Sequence, residues 1–391
     1  EPKSRFVAEK IVDLLQEISG GKGEWKHIPE IESLAQTLID DGKEQSCIEV
    51  GTFVKSVLKE GEEVFSSHIK THNCASEDCV HLVPAPCQMA CPAGIDVPSY
   101  VSLIGQGRDG EAIDIIRKVN PFPWVCGLVC TRPCEFLCVR GQIDRPIAIK
   151  SLKGFAAEKA LTEGSCTSPV KVTEKKKKVC IIGAGPGGLT AAYYLAQKGY
   201  GVRVIEAMPE PGGMMLVGIP RFRLPREVIA REVAEIEALG VEFRFNTRFG
   251  QDATYQQLKE EGFKAFFLAV GAHQAYKLQI SGEDDYPQVI DAIDFLRDVA
   301  LHDRRLTVKK VIIIGGGNVA IDTARTCVRQ GCEEVIIAYR RSRDEMPADE
   351  EEVEQAEEEG VKIHFLTFPV KIEGQNGKLT RIQFQRSKLV T

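Results

Sequence analysis

The stretch Lys178-Val-Cys-Ile-Ile-Gly183-Ala-Gly185-Pro186-Gly187-Gly188 decides the fold of this 391-residue chain. Its apolar half reads as a short strand, its glycines as a tight turn, and the following Leu189–Lys198 as a helix. A second strand, Gly201–Ile205, ends on Glu206. Each part has a physical task. Gly183 makes the turn, Gly185 lets the backbone approach a pyrophosphate, and Gly188 lets helix and strand pack closely. Pro186 and Gly187 open the helix, whose N-terminus stabilises phosphate charge. Glu206 lies 21 residues past Gly185, where a carboxylate can accept hydrogen bonds from ribose hydroxyls. Gly212 and Gly213 would let the chain pass close to a bulky cofactor, although a plain Pro-Gly-Gly turn accounts for them as well. The stretch therefore predicts a Rossmann-like, doubly wound α/β domain with a dinucleotide site.

The pattern recurs downstream. Lys309–Ile314 is an apolar strand, Gly315-Gly-Gly317-Asn318-Val319-Ala320 fits Gly-x-Gly-x-x-Ala, and a helix runs on through Gln330. The next strand, Val335–Ala338, ends on Tyr339-Arg340-Arg341 with no acid there. Losing the carboxylate and gaining arginines is the change expected for a nicotinamide cofactor carrying a 2′-phosphate, which planar guanidinium groups bind through charge-assisted hydrogen bonds. The competing reading pairs these arginines with Asp344, Glu345 or the acidic helix at 349–359, itself read as a solvated face. Two loops with opposite endings suggest FAD and NADPH on one chain, with hydride passing from NADPH to FAD and single electrons on to iron–sulfur clusters.

Composition narrows the rest. A net charge of −6 and a pI near 5.8 argue against nucleic-acid binding through a basic surface. No apolar run reaches the ~18 residues of a helical membrane span. The longest, Ala265–Ala272 and Val311–Ile314, read as buried strands. Glu1–Lys10 lacks the apolar core of a secretory signal. Of 13 cysteines, ten precede residue 167. That bias, ahead of long α/β patterns, favours metal or redox use in a reducing compartment, and the expected location is the cytoplasm. Cys74, Cys79, Cys87 and Cys91 form one group, the last followed by proline as in bacterial ferredoxins. Cys126, Cys130, Cys134 and Cys138 form another. Eight thiols suffice for two four-iron clusters. Zinc is the rival, without the usual Cys-x2-Cys knuckle. A single helical stripe is the third option, disfavoured by Gly127 and Pro133. Cys180, Cys327 and Cys332 read as packing residues. The chain divides into a helical segment (1–72), a helical domain with two clusters (73–165), a linker (166–178), an FAD domain (179–295) and an NADPH domain (296–391). Within them, Tyr100–Val119 reads as one helical stretch.

Residues 73–391 resemble the small subunit of glutamate synthase and the matching parts of dihydropyrimidine dehydrogenase and NADH-dependent ferredoxin:NADP oxidoreductase. The carrying segments are Cys87-Gln-Met-Ala-Cys-Pro-Ala-Gly-Ile-Asp-Val-Pro98, Asn120-Pro-Phe-Pro, Cys126–Arg140, Gly183–Gly188 and Asp344-Glu-Met-Pro-Ala348. The resemblance implies two four-iron clusters beside an FAD domain into which an NADPH domain is inserted. One cluster would use Cys74, Cys79, Cys87 and Cys138. The other would use Cys91, Cys130 and Cys134 with a Gln or Glu, where this chain has Lys153. Protonated lysine cannot ligate iron, so Cys126 is expected as the fourth ligand.

Residues 1–72 are similar to the cluster-binding end of complex I's NADH-oxidising flavoprotein subunit, through Ser46-Cys-Ile-Glu-Val-Gly51, Val54-Lys-Ser-Val-Leu58 and Phe65-Ser-Ser-His-Ile69. That resemblance makes Cys47 a candidate cluster ligand, without the three earlier cysteines of that family. The chain stops in what reads as the NADPH domain, so the FAD domain is expected to be incomplete. The resulting expectation is an NAD(P)H-dependent electron-transfer flavoprotein in a hetero-oligomer, exchanging electrons with a ferredoxin or a larger redox subunit. The alternatives are a glutamate synthase small subunit and a cluster-bearing scaffold without working flavin chemistry.

Overall fold

The computed structural model describes residues 2–41, 45–70, 74, 79, 85–167, 175 and 177–388. Most of the expected linker, residues 168–174 and 176, lies outside them. The chain divides into two compact units, Glu1–Gly94 with Phe136–Arg145, and Ile95–Glu135 with Pro146–Thr391.

The first unit contains the helices Pro2–Ser19, His27–Asp41, Gln45–Glu60 and Glu62–Lys70, the short helix Pro86–Ala90 and a 3-10 turn at Val139–Gln142. Val7, Ile11, Leu14 and Ile18 recur every three or four residues, so they share one helix face. That face buries against Ile31, Ala35, Leu38 and Ile69. Periodicity predicts three helices here. The third, Val50–Leu58, lies within Gln45–Glu60, and a fourth helix, Glu62–Lys70, follows Gly61.

In the second unit, the helices Val97–Gly105, Asp109–Arg117, Pro123–Val129, Pro133–Phe136 and Ile149–Glu163 precede the sheets. The expected single helical stretch Tyr100–Val119 is thus two helices, broken at Gly105-Gln-Gly107. Strands β1 (Lys178–Ile182), β2 (Gly201–Ile205), β3 (Glu242–Arg244) and β4 (Phe263–Leu268) form one parallel sheet in the order β3-β2-β1-β4. Strands β5 (Lys310–Ile314), β6 (Glu334–Ala338) and β7 (Lys362–His364) form a second, in chain order. The antiparallel hairpin β8 (Thr367–Gln375) and β9 (Lys378–Arg386) follows. The class is α/β. A parallel strand order needs crossovers, and the helices Pro186–Gln197 and Asn318–Arg329 supply those after each glycine loop.

Neither expected buried strand is one: Val311–Ile314 lies in β5, an edge of its sheet, where only Ile313 is buried. The apolar run Ala265–Ala272 is not a buried strand: β4 is the sheet's edge, ends at Leu268, and leaves Leu268 67% exposed and Val270 60% exposed. An edge strand has one neighbour, so apolar content alone does not bury it.

Candidate functional site

The first glycine loop joins β1 to the helix Pro186–Gln197, with Gly185 at the N-cap and Pro186 at the first helical position. Gly185 has no side chain to cap this helix, and among the described residues no side chain bonds its first N–H groups, which leaves them for an anion. Gly188 is fixed by close approach: a Cβ there would lie 1.9 Å from the Gly183 carbonyl oxygen. At Gly187 a Cβ would meet nothing within 4 Å, so the loop's outer side is open. The Gly212–Gly213 segment lies against the loop. Gly212 N–H donates to the Ala184 carbonyl at 2.8 Å, and a Cβ on Gly213 would come within 2.7 Å of Gly185 Cα. Glu206 is buried at the end of β2. One carboxylate oxygen accepts from Ala184 N–H at 2.7 Å and the other from Met208 N–H at 2.8 Å. Each oxygen keeps a further lone pair.

The second loop joins β5 to the helix Asn318–Arg329, with Gly317 at its N-cap and, among the described residues, no side chain capping it. Gly317 is open, whereas a Cβ on Gly316 would strike the Tyr339 ring at 2.4 Å. The Tyr339 hydroxyl donates to the Glu345 carbonyl at 2.7 Å. Asn318 accepts from Asp349 N–H at 2.9 Å, tying the loop to the acidic helix. Val319 is 39% exposed and Ala320 is buried. Arg340 and Arg341 are exposed, and among the described residues neither is in an ion pair.

The acidic helix is more than a solvated face. Arg343 pairs with Glu357 at 2.9 Å, Arg223 with Glu352 at 3.0 Å, Arg325 with Glu352 and Glu359, and Arg329 with Glu359. Glu352, Glu357 and Glu359 are thus paired with arginines other than 340 and 341. Arg223 also clamps Asp322 at 2.7 Å, joining the segment before helix Arg226–Ala238 to the second loop's helix. Burial pushes the Asp322 carboxyl up to about 6 against the opposing pull of Arg223.

The cysteines fall in both units. In the first, Cys91 ends the helix Pro86–Ala90, and Cys138 is buried just before the 3-10 turn. Cys87 is half-buried on that same short helix. Cys74 is buried, and Cys79 lies 3.3 Å from His68 Nε2. Cys47 sits half-buried on the helix Gln45–Glu60 and joins no group of metal-ligating atoms among the described residues.

In the second unit, Cys126 is on the helix Pro123–Val129, Cys130 is its C-cap, and Cys134 is buried on the short helix Pro133–Phe136. Arg132, with φ 50°, turns the chain between them. These thiols therefore do not form one helical stripe. Lys153 is buried on the helix Ile149–Glu163, which touches Pro123–Val129 glycine to glycine: a Cβ on Gly127 would lie 2.3 Å from Gly154 Cα. Burial pushes the Cys126 thiol up, and the Lys153 charge partly offsets this. Cys180 and Cys327 are buried packing residues whose thiols burial pushes up to about 11 and about 12.

Sequence reasoning missed Glu232. Its buried carboxylate accepts from Trp124 N–H at 2.6 Å and Val125 N–H at 3.1 Å, so it caps the Cys126 helix from another element. Burial pushes this carboxyl up to about 8. The available signal was a helix starting at Pro123 with Phe122, which has no capping group, before it.

The beta subunit of NADP(+)-dependent formate dehydrogenase from Moorella thermoacetica is 44% identical over 78% of this chain and 46% of its own length. The beta subunit of NADPH-Fe(3+) oxidoreductase from Geobacter sulfurreducens is 42% identical over 78% and 46%. The chain thus spans about half the length of these two relatives. The glutamate synthase (NADPH) small chain of Halomonas elongata is 35% identical over 80% of this chain and 68% of its own. Among solved structures, a mutant of FprA from Mycobacterium tuberculosis superposes with a TM-score of 0.50 at 22% identity, over 56% of this chain and 65% of that one, a likeness of fold. Residues 55–165 match dihydropyrimidine dehydrogenase domain II, a 4Fe-4S cluster domain. Residues 177–389, the span of both glycine loops and more than half of the chain, match the family described as pyridine nucleotide-disulphide oxidoreductase. With the two parallel sheets and their uncapped glycine-loop helices, that match makes the chain a member of the pyridine nucleotide-disulphide oxidoreductase family.

Proposed function

We propose that this chain is the FAD- and NADPH-binding, iron–sulfur part of a larger oxidoreductase, exchanging electrons with a partner redox subunit or a ferredoxin. The observation that carries the reading is the contrast between loop endings: a buried carboxylate at Glu206, and two exposed arginines at 340 and 341 that form no ion pair among the described residues. In this reading Gly183, Gly185, Pro186, Gly187 and Gly188 leave room for the FAD pyrophosphate, with Gly212 and Gly213 packed behind. Glu206 holds the loop through two backbone N–H groups and offers its remaining lone pairs to the ribose. Gly315, Gly317, Asn318, Val319 and Ala320 receive the NADPH pyrophosphate, and Arg340 and Arg341 its 2′-phosphate. FAD supplies the conversion between paired electrons from a nicotinamide and the single electrons an iron–sulfur cluster accepts. Cys87, Cys91 and Cys138 of the first unit and Cys126, Cys130 and Cys134 of the second are the thiolates offered to four-iron clusters, with Glu232 fixing the helix that carries Cys126. The names of the formate dehydrogenase and iron-reductase relatives support an NADPH-linked role as one subunit among several. The 68% coverage of a glutamate synthase small chain favours that enzyme as the second reading, distinguished by pull-down of a glutaminase-bearing subunit.

The test is Arg340→Ala, with binding of NADPH and NADH measured on the full chain. A hydrogen bond to a charged group contributes about 1.5–3 kcal/mol, so NADPH should weaken about 10- to 100-fold with NADH nearly unchanged. Equal loss for both would contradict the phosphate role.

A further inference from the structure

We propose that His68, Cys74 and Cys79 bind one zinc ion within the first unit, a site separate from the iron–sulfur ligands. His68 sits in the last turn of the helix Glu62–Lys70 and is buried. Its Nδ1 lies 2.7 Å from the Val64 carbonyl oxygen, one helical turn back. A carbonyl can only accept, so Nδ1 carries the proton and Nε2 presents a bare lone pair. That lone pair faces Cys79 Sγ at 3.3 Å. Fixing one ring nitrogen on a backbone carbonyl is how metal-ligating histidines are oriented. Cys74 Sγ completes the group, and the three ligand atoms all lie within 4.8 Å of one another.

The spacing decides between a single ion and a cluster. With Zn–S near ~2.3 Å and Zn–N near ~2.05 Å, tetrahedral coordination separates ligand atoms by ~3.5–3.8 Å. The thiolates of a four-iron cluster bind different irons and stand farther apart around the whole cluster. The compact group of His68, Cys74 and Cys79 matches the single ion. A mixed nitrogen and sulfur donor set suits zinc, and Cys-x4-Cys falls within the spacing of structural zinc ligands. Leu15, Ile18, Val64 and Phe65 line the recess beside His68 and Cys79, an apolar surround that keeps water from competing for the ligands. The ion would cross-link the end of the helix Glu62–Lys70 to the cysteine segment that follows it, and its binding would contribute to folding of the first unit.

The consequence is a thiol count. The resemblance gives Cys74 and Cys79 to iron. If zinc takes them, six of the eight grouped cysteines remain, enough for one complete four-thiolate cluster but not two.

The experiment is elemental analysis of the full chain after iron–sulfur reconstitution, for wild type, His68→Ala and Cys74→Ser. The expected result is one zinc per chain in wild type, lost in both variants while iron stays unchanged. Loss of iron with Cys74→Ser, or no zinc in wild type, would overturn the site. Because a variant can fail to fold, zinc-edge X-ray absorption of wild type is the second measurement: a first shell with two sulfurs and at least one nitrogen is expected, and an all-oxygen shell would overturn it. None of these readouts involves nicotinamide, so failure here is distinguishable from failure of the electron-transfer reading.

Discussion

At the first glycine loop a buried carboxylate, Glu206, accepts two backbone N–H groups and draws the loop inward, whereas at the same point of the second loop the Tyr339 ring lies on Gly316 and Arg340 and Arg341 remain outside. Strand, turn and uncapped helix are shared; the residue ending the second strand differs. In the proposed reading the backbone motif supplies phosphate room in both places, while the next strand end chooses which dinucleotide suits each. The helices differ too. That of the second loop carries a buried acid, Asp322, clamped by Arg223.

The largest expected effect separates two neighbouring glycines. Gly188→Ala drives a methyl into the Gly183 carbonyl, so thermal unfolding should show a loss of about 3 kcal/mol or more, with little flavin retained. Gly187→Ala meets open space and should unfold close to wild type. Similar behaviour of the two variants would break the account of the first loop.

Next is the pH dependence at Asp322. Its folded pKa, about 6, lies above the ordinary carboxylate value, so the folded chain holds the proton more tightly. The stability this contributes is complete below about pH 4 and is lost as pH rises through 6, on the order of 3 kcal/mol in all. Asp322→Asn should flatten the decline in denaturant midpoint over that window, and an unchanged slope would refute it. The Arg340→Ala discrimination follows in size. Smallest is Arg343→Ala: its pair with Glu357 is solvent-exposed, so it should cost at most about 1 kcal/mol and leave cofactor preference alone. A change in NADPH preference from Arg343→Ala would move the phosphate site away from Arg340.

The glycine loops were legible because they combine backbone steric demands with strong periodicity. The expected strands at Lys178 and Gly201 begin and end where β1 and β2 do, and β5 and β6 differ from expectation by one residue at the start. The exposure of β4 was not legible, since Phe266, Phe267 and Leu268 read alike whether a strand is central or at an edge. The break at Gly105–Gly107 was visible in sequence but outweighed by the apolar residues on either side. Glu232 could not be read locally, because it caps a helix 107 or 108 residues away. His68 was masked in the same way: only the fold brings its ring to Cys79.

The most direct test of the central claim is an anaerobic NADPH titration of the full chain, loaded with FAD and reconstituted with iron and sulfide, followed by visible absorption. The account predicts that the flavin bands bleach and the broad iron–sulfur absorbance falls as NADPH is added. Absorbance that NADPH leaves unchanged, but a strong chemical reductant removes, would contradict it.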